Sequence, residues 1–319
     1  MRIHFYAIFV GMFLLTSCDS GNKMNITIES RILLDQVPSA SGIEFINNKF
    51  WVIGDNSPWL FELNDKLILL NKYQIFSTDS MEGETIPKKN KHDYEAMTSL
   101  LWEGNSALFI FGSGSKSPER NSGKLIQFGA ANHVTNFDLT KLYELIREES
   151  KLEEDELNLE AAAVLGESIY LFNRGKNKLI SLKIKDLSLF LKGETEKIKL
   201  KVITIDLPNI DGIQAGFSGA FGDEKYNRII FTASVENTAN WIDDGAILGS
   251  FVGILNMDEL YNHFEPTCQL LKNKQNDILP IKVESITQKY IEKGKLNCIV
   301  VTDSDGQSSE LLELEIKID

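Results

Sequence analysis

The hydrophobic and polar positions of this chain repeat in a long unit. One copy spans residues 157–164, where Glu160 is followed by three alanines within an otherwise apolar run. A tight turn leads to a second apolar run at 169–172, which ends in the polar loop 173–175. Apolar runs of this length joined by short turns are typical of antiparallel strands. The unit therefore predicts β structure.

Five copies of the unit align at the acidic position. Each has Glu or Ser, then a small residue, then an apolar residue in most copies, and they start at Ser41, Glu95, Glu160, Ser218 and Glu284. The starts are 54, 65, 58 and 66 residues apart. Each copy leads into a second apolar strand, and most units hold two more. About four strands per unit at a repeated period predicts an all-β fold, a β-propeller of five blades. Since these intervals exceed a usual blade, a six-bladed ring is the alternative.

The fifth unit is too short for four strands. Only residues 284–319 follow its start, which is enough for three. The missing strand is predicted at residues 25–34, before the first copy. The N-terminal strand then closes the ring as the outer strand of the last blade, which ties both ends of the chain together.

One segment departs from the β pattern. Residues 140–155 have apolar side chains at Leu142, Leu145, Ile146 and Leu152, with charged residues between them. This is helical spacing after a Thr cap, so we predict one inserted helix in the link between the second and third blades. A solvated charged loop is the alternative.

The N-terminus has the features of a secretory signal. Arg2 provides a short positive start, residues 5–15 form an apolar run too short to span a bilayer, and the run ends at Leu15-Thr16-Ser17-Cys18. This ending resembles the bacterial lipobox, in which the Cys becomes the lipidated first residue. We predict a signal peptide over 1–17, lipidation of Cys18, a spacer over 18–24 and a propeller domain over 25–319. The protein is expected to be exported and anchored to the cell envelope by its lipid.

Charge and cysteine content narrow the range of partners. The formal net charge is −13 at pH 7 and becomes −14 without residues 1–17, because the signal contains Arg2 and no acid. Because a surface this acidic repels nucleic acid, we expect no nucleic-acid partner. We also expect a monomer.

Cys268 and Cys298 lie in apolar runs and are interpreted as small buried hydrophobes, with a disulfide as the alternative.

The aligned acids predict a site in the central channel. In a propeller the innermost strand of each blade lines the channel, so Glu95, Glu160 and Glu284 should meet at one mouth with Ser41 and Ser218. Glu44 is a further candidate if its register turns it inward. Several carboxylates in one funnel repel one another unless a cation lies among them. Oxygen ligands suit Ca²⁺ or Mg²⁺ better than zinc. The alternative is a structural clamp, in which the carboxylates accept hydrogen bonds from backbone N–H groups.

The loops after the second strands return to the same mouth. They offer further oxygen ligands and anion-binding side chains: Asp55, Asn56, Asp303 and Asp305 as ligands, and Arg174 and Lys116 for an anion. Residues 303–306 superficially match the start of an EF-hand loop, but Glu310 falls too early for its bidentate position. Residues 216–220 come close to a Gly-x-Ser-x-Gly elbow around Ser218 but lack the last Gly, so a nucleophile is not expected.

Several motifs resemble a known group of proteins. They are Ser-Gly-Ile at 41–43, Phe-Trp-Val-Ile-Gly-Asp-Asn at 50–56, Asp-Tyr-Glu-Ala-Met at 93–97 and Leu-Asn-Leu-Glu-Ala-Ala at 157–162. Together they resemble the esterase-like phytase and SdiA-regulated bacterial propellers. The resemblance implies a propeller fold, calcium at the channel and, in the phytase branch, phosphoester hydrolysis. Ala or Ser replaces the family's Gly after each Glu, and a dense Lys/Arg funnel is not evident.

Two functions are therefore carried forward. The first is a non-catalytic, envelope-anchored propeller whose acidic channel site binds a ligand. The second is a Ca²⁺-dependent hydrolase of phosphoesters or related esters, in which the three glutamates hold the metal and Arg174 holds the anion.

Overall fold

Five antiparallel sheets of four strands each make up most of the molecule. The computed structural model describes residues 24–78, 81–83, 85–129, 132–238, 245–260, 265–303 and 308–318. Within these residues, the inner strands of the sheets contact one another in the order β2, β6, β10, β16 and β20, and β20 returns to β2. The prediction of a five-bladed β-propeller is confirmed.

Each blade is numbered from its inner strand outward. The first blade consists of β2 (Ala40–Ile46), β3 (Lys49–Gly54), β4 (Trp59–Leu63) and β5 (Leu69–Gln74). The second consists of β6 (Tyr94–Trp102), β7 (Asn105–Gly112), β8 (Ser122–Gln127) and β9 (His133–Asp138). The third consists of β10 (Leu159–Leu165), β11 (Ser168–Asn173), β12 (Lys178–Lys183) and β13 (Lys201–Thr204). The fourth consists of β16 (Gly216–Asp223), β17 (Arg228–Asn237), β18 (Ala246–Asn256) and β19 (Thr267–Leu270).

The fifth blade joins the two ends of the chain. It consists of β20 (Lys282–Glu292), β21 (Lys295–Asp303), β22 (Ser308–Ile318) and, outermost, β1 (Met24–Pro38). In β1, Met24 lies opposite Ile318 and Leu34 lies opposite Ser309. The predicted closing strand is therefore present and is longer at both ends than expected. This pairing removes one open edge of the last sheet and fixes the fifth blade against the first.

The repeat has a local structural cause. In every blade, the residue at the aligned position is the extra residue of a β-bulge between the inner strand and its neighbour: Ser41, Glu95, Glu160, Ser218 and Glu284. A bulge interrupts the regular alternation of side chains between the two faces of a sheet, so it can direct one side chain toward a site. The residue after the bulge must be small because the neighbouring blade lies close to it. A Cβ on Gly219 would lie 2.5 Å from the Cα of Ser285 in the next blade.

Large apolar side chains fill the space between neighbouring blades. Phe217 of the fourth blade meets Phe172 of the third edge to face, with ring centroids 5.0 Å apart, and meets Phe231 of its own blade at 5.2 Å. All three are fully buried. Edge-to-face rings add to the free energy gained by burying their area, so these contacts hold blade to blade.

The predicted helix is present. Helix α1 (Thr140–Ser150) links β9 to β10 and buries Leu142, Tyr143 and Ile146. The Tyr143 hydroxyl donates to the Gly112 carbonyl oxygen at 2.5 Å, which fixes the helix against β7. Lys151 ends the helix in the left-handed conformation, with φ of 54°.

Two further elements are not predicted by the sequence analysis. Helix α2 (Ile184–Leu191) follows β12 and packs Ile184, Leu187 and Phe190 on the apolar layer between the second and third blades. A small hairpin of β14 (Asn209–Ile210) and β15 (Ile213–Gln214) turns through Asp211 and Gly212, both at positive φ, as a two-residue hairpin turn requires.

The described residues also bear on the cysteines and on membrane crossing. Cys298 is buried in β21, Cys268 is half-buried in β19, and both are free thiols. Neither helix of the described chain has the length and apolarity needed to cross a bilayer. Residues 1–23 lie outside the described part of the chain, so the signal peptide and the lipidation of Cys18 stay predictions.

Removing the closing strand is expected to unfold the protein. Deletion of residues 25–34 takes the partner strand from β22 and opens the ring, so the cooperative thermal transition should be lost or move far down in temperature. Circular dichroism melting curves measure this. The control is a deletion of residues 19–23 alone, which leaves β1 whole. An unchanged melting temperature for the longer deletion would refute the closure.

Candidate functional site

A polar cavity of about 250 Å³ lies where the inner strands begin, at one mouth of the channel. Its lining combines seven carboxylates with five basic side chains: Asp55, Asp93, Glu95, Glu160, Glu236, Glu284, Asp303, Lys88, Lys91, Arg120, Arg174 and Lys282. The basic groups are far more numerous than the sequence analysis expected. The site is a dense network of acidic and basic side chains.

Three structural positions supply most of this lining. The bulged residue contributes Glu95, Glu160 and Glu284, as predicted from the repeat. The residue two places earlier also faces the cavity in every blade: Ser39, Asp93, Asn158, Gly216 and Lys282. Residues at the end of the second strand, or in the loop that follows it, complete the wall, including Asp55, Arg174 and Glu236. The antiparallel path of each blade brings these positions to the same mouth.

The carboxylates form two clusters that share one member. In the first cluster, one oxygen each from Glu95, Glu160 and Glu284 lie within 4.8 Å of one another. In the second cluster, the same is true of Asp55, Asp93 and Glu95. Acids this close cannot all carry a charge without compensation. The position of nearby cations therefore decides what each cluster can do.

The second cluster contains its own cation. The Lys91 ammonium contacts Asp55 Oδ2 and lies 2.6 Å from Asp93 Oδ1. Arg120 Nη1 lies 2.6 Å from Asp93 Oδ2. Burial lowers the pKa of Lys91, but Asp55, Asp93 and Glu95 outweigh that effect and hold the pKa above its ordinary value. Burial also acts to raise the pKa of Asp93. The charges of Lys91 and Arg120 outweigh that effect and hold the pKa of Asp93 below its ordinary value.

The bases of the first cluster stand at its edge. Lys282 Nζ lies 3.1 Å from Glu284 Oε1 and 3.4 Å from Glu236 Oε1. Arg174 Nη2 donates to Glu236 Oε1 at 2.6 Å, whereas its Nη1 is 3.8 Å from Glu160 Oε2. Both bases are therefore divided between Glu236 and the cluster. Arg174 lies closer to Glu236 than to Glu160, whereas Lys282 lies closer to Glu284 than to Glu236.

Glu95 has the least compensation of all. Among the described residues it takes part in no hydrogen bond and no ion pair. Burial raises its pKa far above the ordinary value, and the charges of Asp93, Asp55 and Glu160 raise it further, while the charge of Lys91 opposes these effects only in part. Burial likewise raises the pKa of Glu160 to about 7, against the opposing effect of Arg174. Such a carboxyl either keeps a proton or accepts a cation.

Two deeply buried groups in the wall still lack hydrogen bonds. Glu284 is 3% exposed, and its Oε1 accepts no hydrogen bond of good geometry although Lys282 is near. Arg174 is 6% exposed, and its Nη1 donates none. Both line the cavity. Buried polar groups are normally satisfied, so an acceptor and a donor left over at one cavity point to a ligand.

The predicted backbone clamp is not formed in the described residues. No backbone N–H there donates to the carboxylates of Glu95, Glu160 or Glu284. The one hydrogen bond to Glu160 comes from the side-chain amide of Asn158, at 2.6 Å. The clamp therefore does not explain why these acids are brought together.

The other candidates are divided between the cavity and the blades. Ser41 lines the cavity and donates to the Tyr94 carbonyl oxygen at 2.6 Å, and Asp303 also lines it. Ser218 is fully buried and donates to Thr232 Oγ1 at 3.0 Å, inside the fourth blade. Asn56 donates to Ser39 Oγ at 3.1 Å and is not part of the lining.

Three further candidates do not join the site. Glu44 is buried away from the cavity, where its Oε2 accepts a hydrogen bond from Ser99 Oγ at 3.2 Å. Lys116 is exposed, pairs with Glu119 at 3.8 Å and does not line the cavity. Asp305 lies outside the described residues.

Sequence reasoning identified Arg174 but missed the other basic side chains and two of the acids. Lys91, Arg120 and Lys282 were not named, and neither were Asp93 and Glu236. A signal for some of them was present, because Asp93 and Lys282 both stand two places before an aligned glutamate. No spacing marks Arg120 or Glu236, which reach the mouth through the path of their own blades.

The sequence matches one family over nearly its whole length. The model of the family of unknown function DUF6929 covers residues 36–316, so the chain belongs to that family. No curated protein sequence matches the chain. The family match does not extend to the esterase-like phytase or SdiA-regulated groups, and that resemblance stays a prediction.

Three of the solved structures that resemble this chain do so only at a low level. Glutaminyl cyclase from Myxococcus xanthus is 8% identical with a TM-score of 0.48, covering 92% of this chain and 97% of that one. An α-L-arabinanase mutant from Cellvibrio cellulosa is 12% identical with a TM-score of 0.49, covering 90% and 96%. Regucalcin, a calcium-binding protein from Agrobacterium tumefaciens, is 12% identical with a TM-score of 0.42, covering 91% and 95%. At this distance the structures carry no argument about function.

The buried Glu44 predicts a pH dependence of stability. Burial raises the pKa of Glu44 to about 8, so the folded chain holds this proton more tightly than the unfolded chain does. The stabilisation that comes from this bound proton is complete below the ordinary pKa of a glutamate, and it is lost as the pH rises through about 8. Glu44→Gln should therefore flatten the fall in melting temperature between pH 5 and pH 9, by a free energy on the order of 4 kcal/mol.

The matched control for Glu44 is Glu167→Gln, at a side chain that is 91% exposed. That variant should keep the slope of the unchanged protein. If Glu44→Gln and the unchanged protein lose stability in parallel across this range, Glu44 ionises normally in the folded state.

Proposed function

We propose that this protein is a small-ligand-binding propeller in which Glu95, Glu160 and Glu284 hold one divalent cation at the channel mouth. The observation that carries the proposal is Glu95, a shared member of two carboxylate clusters that takes part in no hydrogen bond and no ion pair within the described residues. A cation would relieve the repulsion that raises its pKa. Anchoring to the envelope through Cys18 is part of the proposal, and loss of the membrane fraction in a Cys18→Ser variant tests it.

Ca²⁺ fits the donor set best. All donors in the cluster are carboxylate oxygens, which favours Ca²⁺ or Mg²⁺ over zinc. Opposite ligands of Ca²⁺ stand roughly 4.6–5.2 Å apart, since each bond is roughly 2.3–2.6 Å. The three glutamate oxygens lie within 4.8 Å of one another, so they can reach such an ion with little movement.

The remainder of the cavity suits a small, polar, anionic group. Arg174 Nη1 is an unused donor beside the cluster. When a cation occupies the glutamates, Arg174 and Lys282 lose much of their pairing with Glu160 and Glu284. Their positive charge then becomes available to a ligand anion held next to the cation. Glu236 remains to orient both bases.

A Ca²⁺-dependent phosphoesterase is the second candidate. It is favoured by the unused donor of Arg174, which stands beside the cluster and could hold the phosphate of an ester next to the cation. A divalent cation bound there would supply Lewis acidity and a more acidic water.

A panel of phosphate and carboxylate esters with Ca²⁺ separates the two candidates. Turnover that chelator abolishes and that Arg174→Gln greatly reduces would establish the hydrolase. We expect no turnover across the panel, together with saturable binding of an envelope component. The matched control is Lys116→Gln, which removes an exposed base outside the cavity and should change neither result.

Cation binding is expected to stabilise the folded protein. At roughly a hundredfold excess of Ca²⁺ over its dissociation constant, the free energy of unfolding should rise by about 2.7 kcal/mol. Thermal melting with Ca²⁺ and with chelator measures the gain, and Glu160→Gln should remove most of it. Glu44→Gln is the control, because it makes the same substitution at a buried glutamate of an inner strand outside the cavity. Identical curves with Ca²⁺ and with chelator, on protein first freed of metal, would end the cation proposal.

A further inference from the structure

The two carboxylate clusters have the same size but different surroundings. Each brings three carboxylate oxygens within 4.8 Å of one another, and Glu95 belongs to both. The cluster of Asp55, Asp93 and Glu95 encloses Lys91, and we call it the filled cluster. The cluster of Glu95, Glu160 and Glu284 has its bases at the edge, and we call it the open cluster.

Lys91 fills the cluster of Asp55, Asp93 and Glu95. Its ammonium contacts Asp55 and lies 2.6 Å from Asp93, and its side chain is only 11% exposed. The short 3₁₀ turn Lys88–Asn90 leads directly into Lys91 and helps to fix its backbone. The ammonium therefore stands where a free ion would otherwise be held.

The filled cluster retains unused binding capacity. Asp55 Oδ1 is buried and accepts no hydrogen bond among the described residues. Asp93 is further held by Arg120 and by the hydroxyl of Ser113, so its oxygens stay in position when the neighbour at Lys91 changes. These carboxylates would form a second oxygen-ligand set if the ammonium were absent.

The open cluster differs in the reach of its bases. Lys282 is shared with Glu236, and Arg174 is 3.8 Å from Glu160 at its nearer nitrogen. Glu284 is buried, lines the cavity and has an Oε1 without a hydrogen bond. Lys282 Nζ lies 3.1 Å from this oxygen but reaches only one glutamate of the cluster, so a cation from solution can compete for Glu284 Oε1.

We propose that Lys91 is a tethered cation that limits the channel mouth to one divalent cation per chain. The inference rests on the proposed function and adds the stoichiometry and the residue that sets it. An ammonium held among Asp55 and Asp93 excludes a second ion by its volume and charge. It also leaves Glu95 free to serve the open cluster.

Substitution of Lys91 should turn the filled cluster into a second site. Equilibrium dialysis against Ca²⁺, followed by measurement of bound metal per chain, should give one ion for the unchanged protein and two for Lys91→Met. Adding Asp55→Asn to Lys91→Met should return the count to one. Lys91→Arg keeps a positive charge and should bind one ion, as should Lys89→Met, which removes an exposed lysine that does not line the cavity.

The outcomes separate this inference from the proposed function. No bound Ca²⁺ in the unchanged protein overturns the proposed function. One ion in both the unchanged protein and folded Lys91→Met overturns the inference alone. Circular dichroism establishes folding, and Lys91→Gln, purified in Ca²⁺, replaces Lys91→Met if that variant does not fold. Two ions in Lys91→Arg would likewise refute the role of the tethered charge.

Discussion

Closing the ring is the constraint on which the rest of this structure depends. Once β1 pairs with β22, five inner strands must begin around one channel, and their first residues have no space to separate. The β-bulge in each blade directs one side chain toward that mouth, and the small residue that follows allows the neighbouring backbone to approach. The site is thus a geometric consequence of the fold. The chemistry depends on which residues occupy the bulged positions.

The charges at the mouth oppose folding and must be balanced locally. Two like charges about 5 Å apart repel by roughly 3 kcal/mol at the effective dielectric constant of a protein surface. Several such pairs would consume much of the stability of a domain. Lys91, Arg120, Arg174 and Lys282 offset most of this repulsion, and the apolar layers between blades must supply the remainder. Within the described residues Glu95 takes part in no ion pair, and the charge of Lys91 offsets its repulsion only in part.

The sequence predicts the architecture better than the site. Repeated Glu or Ser before a small residue reveals the five blades, because ring crowding acts on every blade alike. The same alignment identifies Glu95, Glu160 and Glu284. It fails at Ser218, whose hydroxyl finds Thr232 within its own blade. It also misses α2, because an eight-residue helix between two predicted strands has too few turns to establish a period.

The lysines of the mouth were unpredictable from the repeat because they act across blades. In the first and fourth blades the aligned residue is Ser, and the carboxylate comes instead from Asp55 or Glu236, in or just after the second strand. Each of these acids pairs with a lysine at the entry to the next blade, Lys91 and Lys282 respectively.

These two pairs tie neighbouring blades together at the mouth, and each neutralises an acid that stands beside the glutamate ring. The blades without an aligned glutamate thus contribute closed ion pairs, whereas the blades with one contribute the open cluster. This division of roles keeps so acidic a mouth compatible with folding, and it leaves the open cluster as the position at which we propose a cation.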